Sequence, residues 1–138
     1  MATIEKFEDI LSWKEARELN RTVGKLIDDD RFKKNFRLIG QIEGAAGSIM
    51  DNIAEGFERG GNKELIQFLF IAKGSCGELR SQLHRAVDRN YITTEEFRLL
   101  SDHAKKVSSL IQKFINYLTN TDLKGPKFSG DAHSEAKR

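Results

Sequence analysis

The sequence predicts an all-α fold, an antiparallel up-down four-helix bundle, and three observations predict it. Apolar residues recur at three- and four-residue spacing through four long segments, the pattern of helices that each bury one face. The 138 residues include a single proline, and a composition of 38% hydrophobic and 32% charged residues suits a folded helical protein, not a disordered or disulfide-rich one. The stretches between the periodic segments are short, which makes successive helices antiparallel neighbours. The length is that of one domain. Residues 1–120 are expected to form the bundle, and residues 121–138, where Gly125-Pro126 and scattered charge replace periodicity, a mobile tail.

The first helix is expected to begin at Ser12, whose hydroxyl would cap the backbone while Glu15 reaches back in a capping box. Trp13, Ala16, Leu19, Val23, Leu26 and Ile27 follow as its apolar stripe. Asp28-Asp29-Asp30 opposes continuation because carboxylates are unfavourable at a helix C-terminus, so a turn is expected over Arg31 to Asn35. The second helix spans about Phe36 to Glu58 and stops at Gly60-Gly61, with Asn62 placed to cap the third. That third helix, about Lys63 to Arg89, carries Leu65, Phe68, Leu69, Ala72, Cys76, Leu79, Leu83 and Ala86 on one stripe. It ends near Asn90, a residue that tolerates the left-handed conformation of a helix stop. Thr93 and Glu96 form a capping box for the fourth helix, whose stripe is Phe97, Leu100, Ala104, Val107, Leu110, Ile111, Phe114 and Leu118.

Charge and cysteine content narrow the function classes. The net charge is +2, and residues 121–138 carry four Lys/Arg against three Asp/Glu, so the bundle itself is nearly neutral. A dedicated nucleic-acid domain usually displays a clustered basic face. The lone Cys76 and the absence of an apolar N-terminal region make a reducing cytoplasm the expected compartment, and no apolar run is long enough to span a bilayer. No catalytic residue, metal ligand or cofactor motif is expected. His84 and His103 lack the Glu-x-x-His pattern of bundle di-metal sites, His133 lies in the tail, and Cys76 reads as a small buried thiol.

Assembly is signalled more clearly than chemistry. Gly40, Gly44 and Gly47 interrupt the second helix together with Ala45, Ala46 and Ser48, and each interior glycine costs about 1 kcal/mol relative to alanine. A neighbouring backbone packed closely against Gly44 and Gly47 is the expected compensation. Asn52, Glu55 and Arg59, three to four residues apart, are expected to face one partner in a structural or assembly network. Glu55 either pairs with Arg59 on the surface or joins a buried network with Asn52, Ser75 or Gln82; its small neighbours Ala54 and Gly56 favour the buried arrangement. Arg31, Lys33, Lys34 and Arg37 cluster at the first turn as a candidate nucleic-acid-binding patch.

The chain resembles the four-helix bundle family also called 23S rRNA-intervening sequence proteins. The resemblance covers nearly all of residues 7–118. It rests on Phe7-Glu8-Asp9-Ile10 with Trp13-Lys14 and Ala16, on Ser48-Ile49 with Asn52-Ile53-Ala54-Glu55-Gly56-Phe57, and on Asn62-Lys63-Glu64, Phe68-Leu69, Ile71-Ala72 and Gly74-Ser75 with Glu78-Leu79. It implies an antiparallel four-helix protomer assembled into a homopentamer. It also implies a relation to the accessory proteins of diversity-generating retroelements, basic pentamers that bind nucleic acid. The chain departs from the family at Glu43-Gly44, where Arg-Arg is usual, at Gln67, where arginine is common, and at Met50, where proline is usual.

Together these readings predict a non-enzymatic homo-oligomeric assembly or binding module, with RNA or a nucleoprotein as partner and no membrane role. The alternative is a protein-binding scaffold without nucleic-acid affinity. An enzyme using Glu55 or Glu78 as acid or base in a pocket between subunits is the third class, and it requires convergent groups with shifted pKa values.

Overall fold

Four helices arise because each chain reversal holds residues that stop one helix and start the next. The computed structural model describes residues 3–121. A 3-10 turn at Phe7–Asp9 leads into α1 (Leu11–Ile27), a second 3-10 turn at Asp30–Phe32 follows, and α2 (Phe36–Glu58), α3 (Asn62–Asp88) and α4 (Thr94–Thr121) complete the described chain. Sequential helices pack against each other and α1 closes on α4, with α2 against α3 the most extensive pairing, so the helices form a four-membered ring in up-down-up-down order.

The helix punctuation is local chemistry. Asn35 accepts the Leu38 N–H through Oδ1 at 3.1 Å and caps α2. Gly60, at φ 84°, takes the left-handed conformation that ends α2, and Asn90, at φ 62°, does the same after α3. Thr93 and Glu96 make the expected capping box: the Thr93 N–H donates to Glu96 at 2.8 Å and the Glu96 N–H donates to the Thr93 hydroxyl at 3.0 Å.

Two expected caps are replaced. Ser12 is fully buried inside the first turn of α1 and Ile10 occupies the cap position, because the Phe7–Asp9 turn feeds directly into the helix. Its expected capping partner, Glu15, instead meets His103 at 3.0 Å and Lys106 at 3.4 Å on α4. Burial raises the Glu15 carboxyl, but the His103 hydrogen bond and Lys106 outweigh it and hold the group below its ordinary value. Asn62 is likewise no cap. Gly61 holds that position, and the Asn62 amide donates to the Leu118 carbonyl at 3.3 Å, tying α3 to the end of α4.

The core follows the four stripes, with Leu19, Ile42, Ile49, Ile53, Leu65, Leu69, Leu79, Leu83, Ile111 and Phe114 inaccessible to solvent. Trp13, Phe68 and Phe97 are only half-buried at its margin. Residues outside the helical stripes also join: Ile4 and Ile10 close one end, while Phe32, Tyr91 and Ile92 close the other.

Glu96 links cap and bundle, since Arg31 Nη1 donates to both its carboxylate oxygens at 2.8 and 2.7 Å. The Thr93 backbone N–H and then Arg31 hold its carboxyl below the usual range, against a smaller opposing effect of burial. A carboxyl depressed on folding stabilises the fold above its unfolded value near 4.5 and loses that contribution as pH falls through the folded value. Glu96→Ala is therefore expected to lower unfolding free energy by about 1–2 kcal/mol at neutral pH. Urea titrations should show the difference from wild type shrinking on acidification below about pH 4; a pH-independent difference contradicts the ionic part of this account.

Candidate functional site

The α2–α3 hairpin carries a polar groove on its outer side. Gln41, Gly44 and Ala45 from α2 face Glu78, Ser81, Gln82 and Arg85 from α3 around a space of about 420 Å³. Arg85 donates to the Gln41 amide oxygen at 2.9 Å across its upper edge. Below it the Ser75 hydroxyl donates to Ser48 at 3.0 Å, and the Asn52 amide donates to the Ser48 hydroxyl and carbonyl, both at 2.8 Å. Gln82 is only 7% exposed, yet among the described residues its Oε1 has no hydrogen-bond partner. A buried acceptor left unpaired costs roughly 1–3 kcal/mol, so this groove holds an unsatisfied demand for a donor.

The expected Asn52, Glu55, Arg59 network separates into two parts. Asn52 belongs to the serine cluster, whereas Glu55 pairs with Arg59 at 2.7 Å with both side chains about half exposed. Glu55 is thus a surface residue and not part of a buried network. At that position α2 turns its carboxylate to water, where the pair avoids the desolvation that burial would impose. Arg59 also lies over the Phe68 ring at 5.0 Å, covering the half-buried aromatic.

The glycine expectation needs a similar correction. A Cβ at Gly44 would meet nothing within 4 Å, and one at Gly47 would meet only the Asp51 carboxylate of its own helix at 3.9 Å. No neighbouring backbone approaches either residue within the protomer. The close approach occurs at Gly56, where a Cβ would stand 2.6 Å from Phe68 Cβ and 3.1 Å from Leu65 Cδ1. The signal the sequence holds for Gly56 is its place one turn before the Gly60 stop, next to the apolar Phe57.

The first-turn basic cluster is only partly available. Arg31 is committed to Glu96 and lies 3.4 Å from Asp29, whereas Lys33, Lys34 and Arg37 are exposed. Lys33 and Lys34 take left-handed backbone conformations at φ 51° and 64°, which points the chain into α2.

Reactive groups elsewhere are subdued. Burial pushes the Cys76 thiol up to about 12, and the nearby Lys73 and Arg80 charges offset only part of that rise. His84 packs against the Phe97 ring at 4.5 Å, and His103 is engaged by Glu15. No group of three His, Cys, Asp or Glu residues that could hold a metal ion occurs among the described residues. Thr121, expected to open the tail, is instead the last residue of α4; His133 and the rest of the expected tail lie outside those residues, and no helix among them is long and apolar enough to cross a membrane.

With this geometry in place, a family model described as 23S rRNA-intervening sequence protein matches residues 8–113. The fold is similar to the crystal structure of a protein of unknown function from the S23 ribosomal protein family of Bacteroides thetaiotaomicron. The two share 22% identity at a TM-score of 0.70, covering 75% of this chain and 97% of the other. No curated protein matches the chain.

Proposed function

This chain belongs to the 23S rRNA-intervening sequence protein family, and from that membership we propose that it is a non-enzymatic, homo-oligomeric assembly module that binds RNA. The observation that carries the assembly reading is the outer groove of α2 and α3. Its glycine has no packing role inside the protomer, and its buried Gln82 acceptor lacks a donor. A second copy of the chain satisfies both features: its helix approaches closely where Gly44 has no side chain, and one of its donors pairs with Gln82. Repetition of that contact around a ring gives the pentamer implied by the family resemblance. RNA as partner is supported by the family's association with ribosomal RNA. The inert Cys76 thiol and the surface pairing of Glu55 favour a non-enzymatic role.

The test is the native mass of wild-type protein and of Gly44→Leu, recorded with and without structured ribosomal RNA across a salt series. A Cβ at Gly44 meets no atom of its own protomer and the groove beside it is open, so Gly44→Leu should retain its helical content, while its mass falls by at least one assembly step. Unchanged mass at the same protein concentration would exclude this groove as the contact. Absence of RNA binding by the wild-type protein at low salt would favour the protein-scaffold alternative, for which Phe70 and Ile71, each just over half exposed on α3, provide an apolar surface.

A further inference from the structure

A second groove lies on the opposite side of α3, between α3 and α4. Its lining is Lys73, Cys76, Gly77 and Arg80 from α3 with Lys105, Ser108 and Ser109 from α4, around about 420 Å³. No carboxylate lines it, and among the described residues Lys73, Arg80 and Lys105 form no ion pair. Elsewhere Arg21, Arg31, Arg59 and Arg98 have their charge offset by a neighbouring carboxylate.

The three cationic residues are set in a row along the two helices. Lys73 and Arg80 are two helical turns apart, about 10 Å along α3. Arg80 Nε donates to the Ser101 hydroxyl at 3.4 Å, which sets the register of α4. Lys105 follows Ser101 by four residues, about 6 Å along the antiparallel helix towards Lys73. The cationic residues therefore recur at backbone steps of roughly 5 Å over about 10 Å. A row of three backbone positions spanning about 10 Å suits a chain of phosphates, with one contact for each cation. Gly77 opens the groove floor: a Cβ there would meet nothing within 4 Å, so no internal contact requires glycine, and its absent side chain leaves the α3 backbone approachable. The Ser108 and Ser109 hydroxyls add neutral donors for phosphate oxygens.

We propose that the α3–α4 groove binds the phosphodiester backbone of a nucleic-acid strand through Lys73, Arg80 and Lys105. This rests on the RNA-binding reading above and assigns the site, which differs from the basic turn at Lys33, Lys34 and Arg37. Three phosphate contacts add about 2 to the salt-dependence slope of single-strand binding, equivalent to about 100-fold in affinity between 1 M and 0.1 M salt.

The experiment is titration of a fluorescent single-stranded RNA with full-length wild type, with Lys73→Gln/Arg80→Gln/Lys105→Gln, and with Lys33→Gln/Lys34→Gln/Arg37→Gln, across a salt series. Melting curves verify that all three are folded. The groove variant should lose about 100-fold in affinity at 0.1 M salt and about 2 in slope, with a smaller change in the turn variant. Wild-type binding with an unchanged groove variant overturns this site and leaves the RNA reading standing; no wild-type binding overturns both. Displacement of the RNA by polyglutamate of equal charge at equal affinity overturns the nucleic-acid assignment in favour of an acidic polypeptide. Displacement by inorganic pyrophosphate at equal affinity overturns the strand assignment.

Discussion

Gly56→Ala is expected to destabilise the protomer by about 3 kcal/mol, at the upper end of the usual cost of overpacking. The added Cβ would stand 2.6 Å from Phe68 Cβ and 3.4 Å from Leu65 Cα, and neither atom is the free end of a flexible side chain. Relief requires α2 and α3 to separate, which loosens Ile53, Phe57, Leu65 and Leu69 in the most extensive helix pairing of the bundle. Phe68→Ala should not rescue Gly56→Ala, because alanine keeps the offending Cβ. Chemical unfolding of the single and double variants checks this. A Gly56→Ala protein within about 0.5 kcal/mol of wild type would mean that the helices yield without cost. Within the protomer, alanine at Gly44 provides the contrast, since there the same change meets no atom within 4 Å and gains about 1 kcal/mol of helix propensity.

Phe32→Ala is expected to cost about 3–5 kcal/mol, the range for truncating a fully buried aromatic. Phe32 is 1% exposed although it lies in the connection between α1 and α2, and its ring sits 5.1 Å from Tyr91 in the connection between α3 and α4. The two connections pack on each other above the core, with the Asn35 amide 3.4 Å from the Tyr91 hydroxyl. Removing the ring should therefore lower the urea midpoint and speed hydrogen exchange in the adjoining helix ends together. A loss below about 1 kcal/mol would show that the connection is a loose cover and not part of the core.

These two residues mark where the sequence was hard to read. The α2 boundaries, the Gly60 and Asn90 stops and the Thr93–Glu96 box were legible because each depends on groups within a few residues of one another. Ser12 and Asn62 had equally good capping chemistry but are used elsewhere, Ser12 inside the first turn of α1 and Asn62 in a bond to the end of α4. Phe32 carried no helical periodicity and so gave no sign of burial. In the candidate sites, Arg31 was counted with its basic neighbours, but its partner Glu96 is 65 residues away. Lys73, Arg80 and Lys105 are separated by up to 32 residues in the sequence, and only the α3–α4 register places them along one groove.

From the sequence by itself follow four helices, their order, their stops and the family to which the chain belongs, because periodicity, capping and motif spacing are properties of neighbouring residues. Only the tertiary structure decided which glycine is a contact and which is open. Gly44 and Gly56 are twelve residues apart, so helical geometry turns them about 120° from each other around α2. Their cost to the isolated helix is the same, and nothing in α2 alone states which direction α3 occupies. That direction is set by burial of the Ile53, Phe57, Leu65 and Leu69 side chains, which presses Gly56 against Phe68 and leaves Gly44 facing outward.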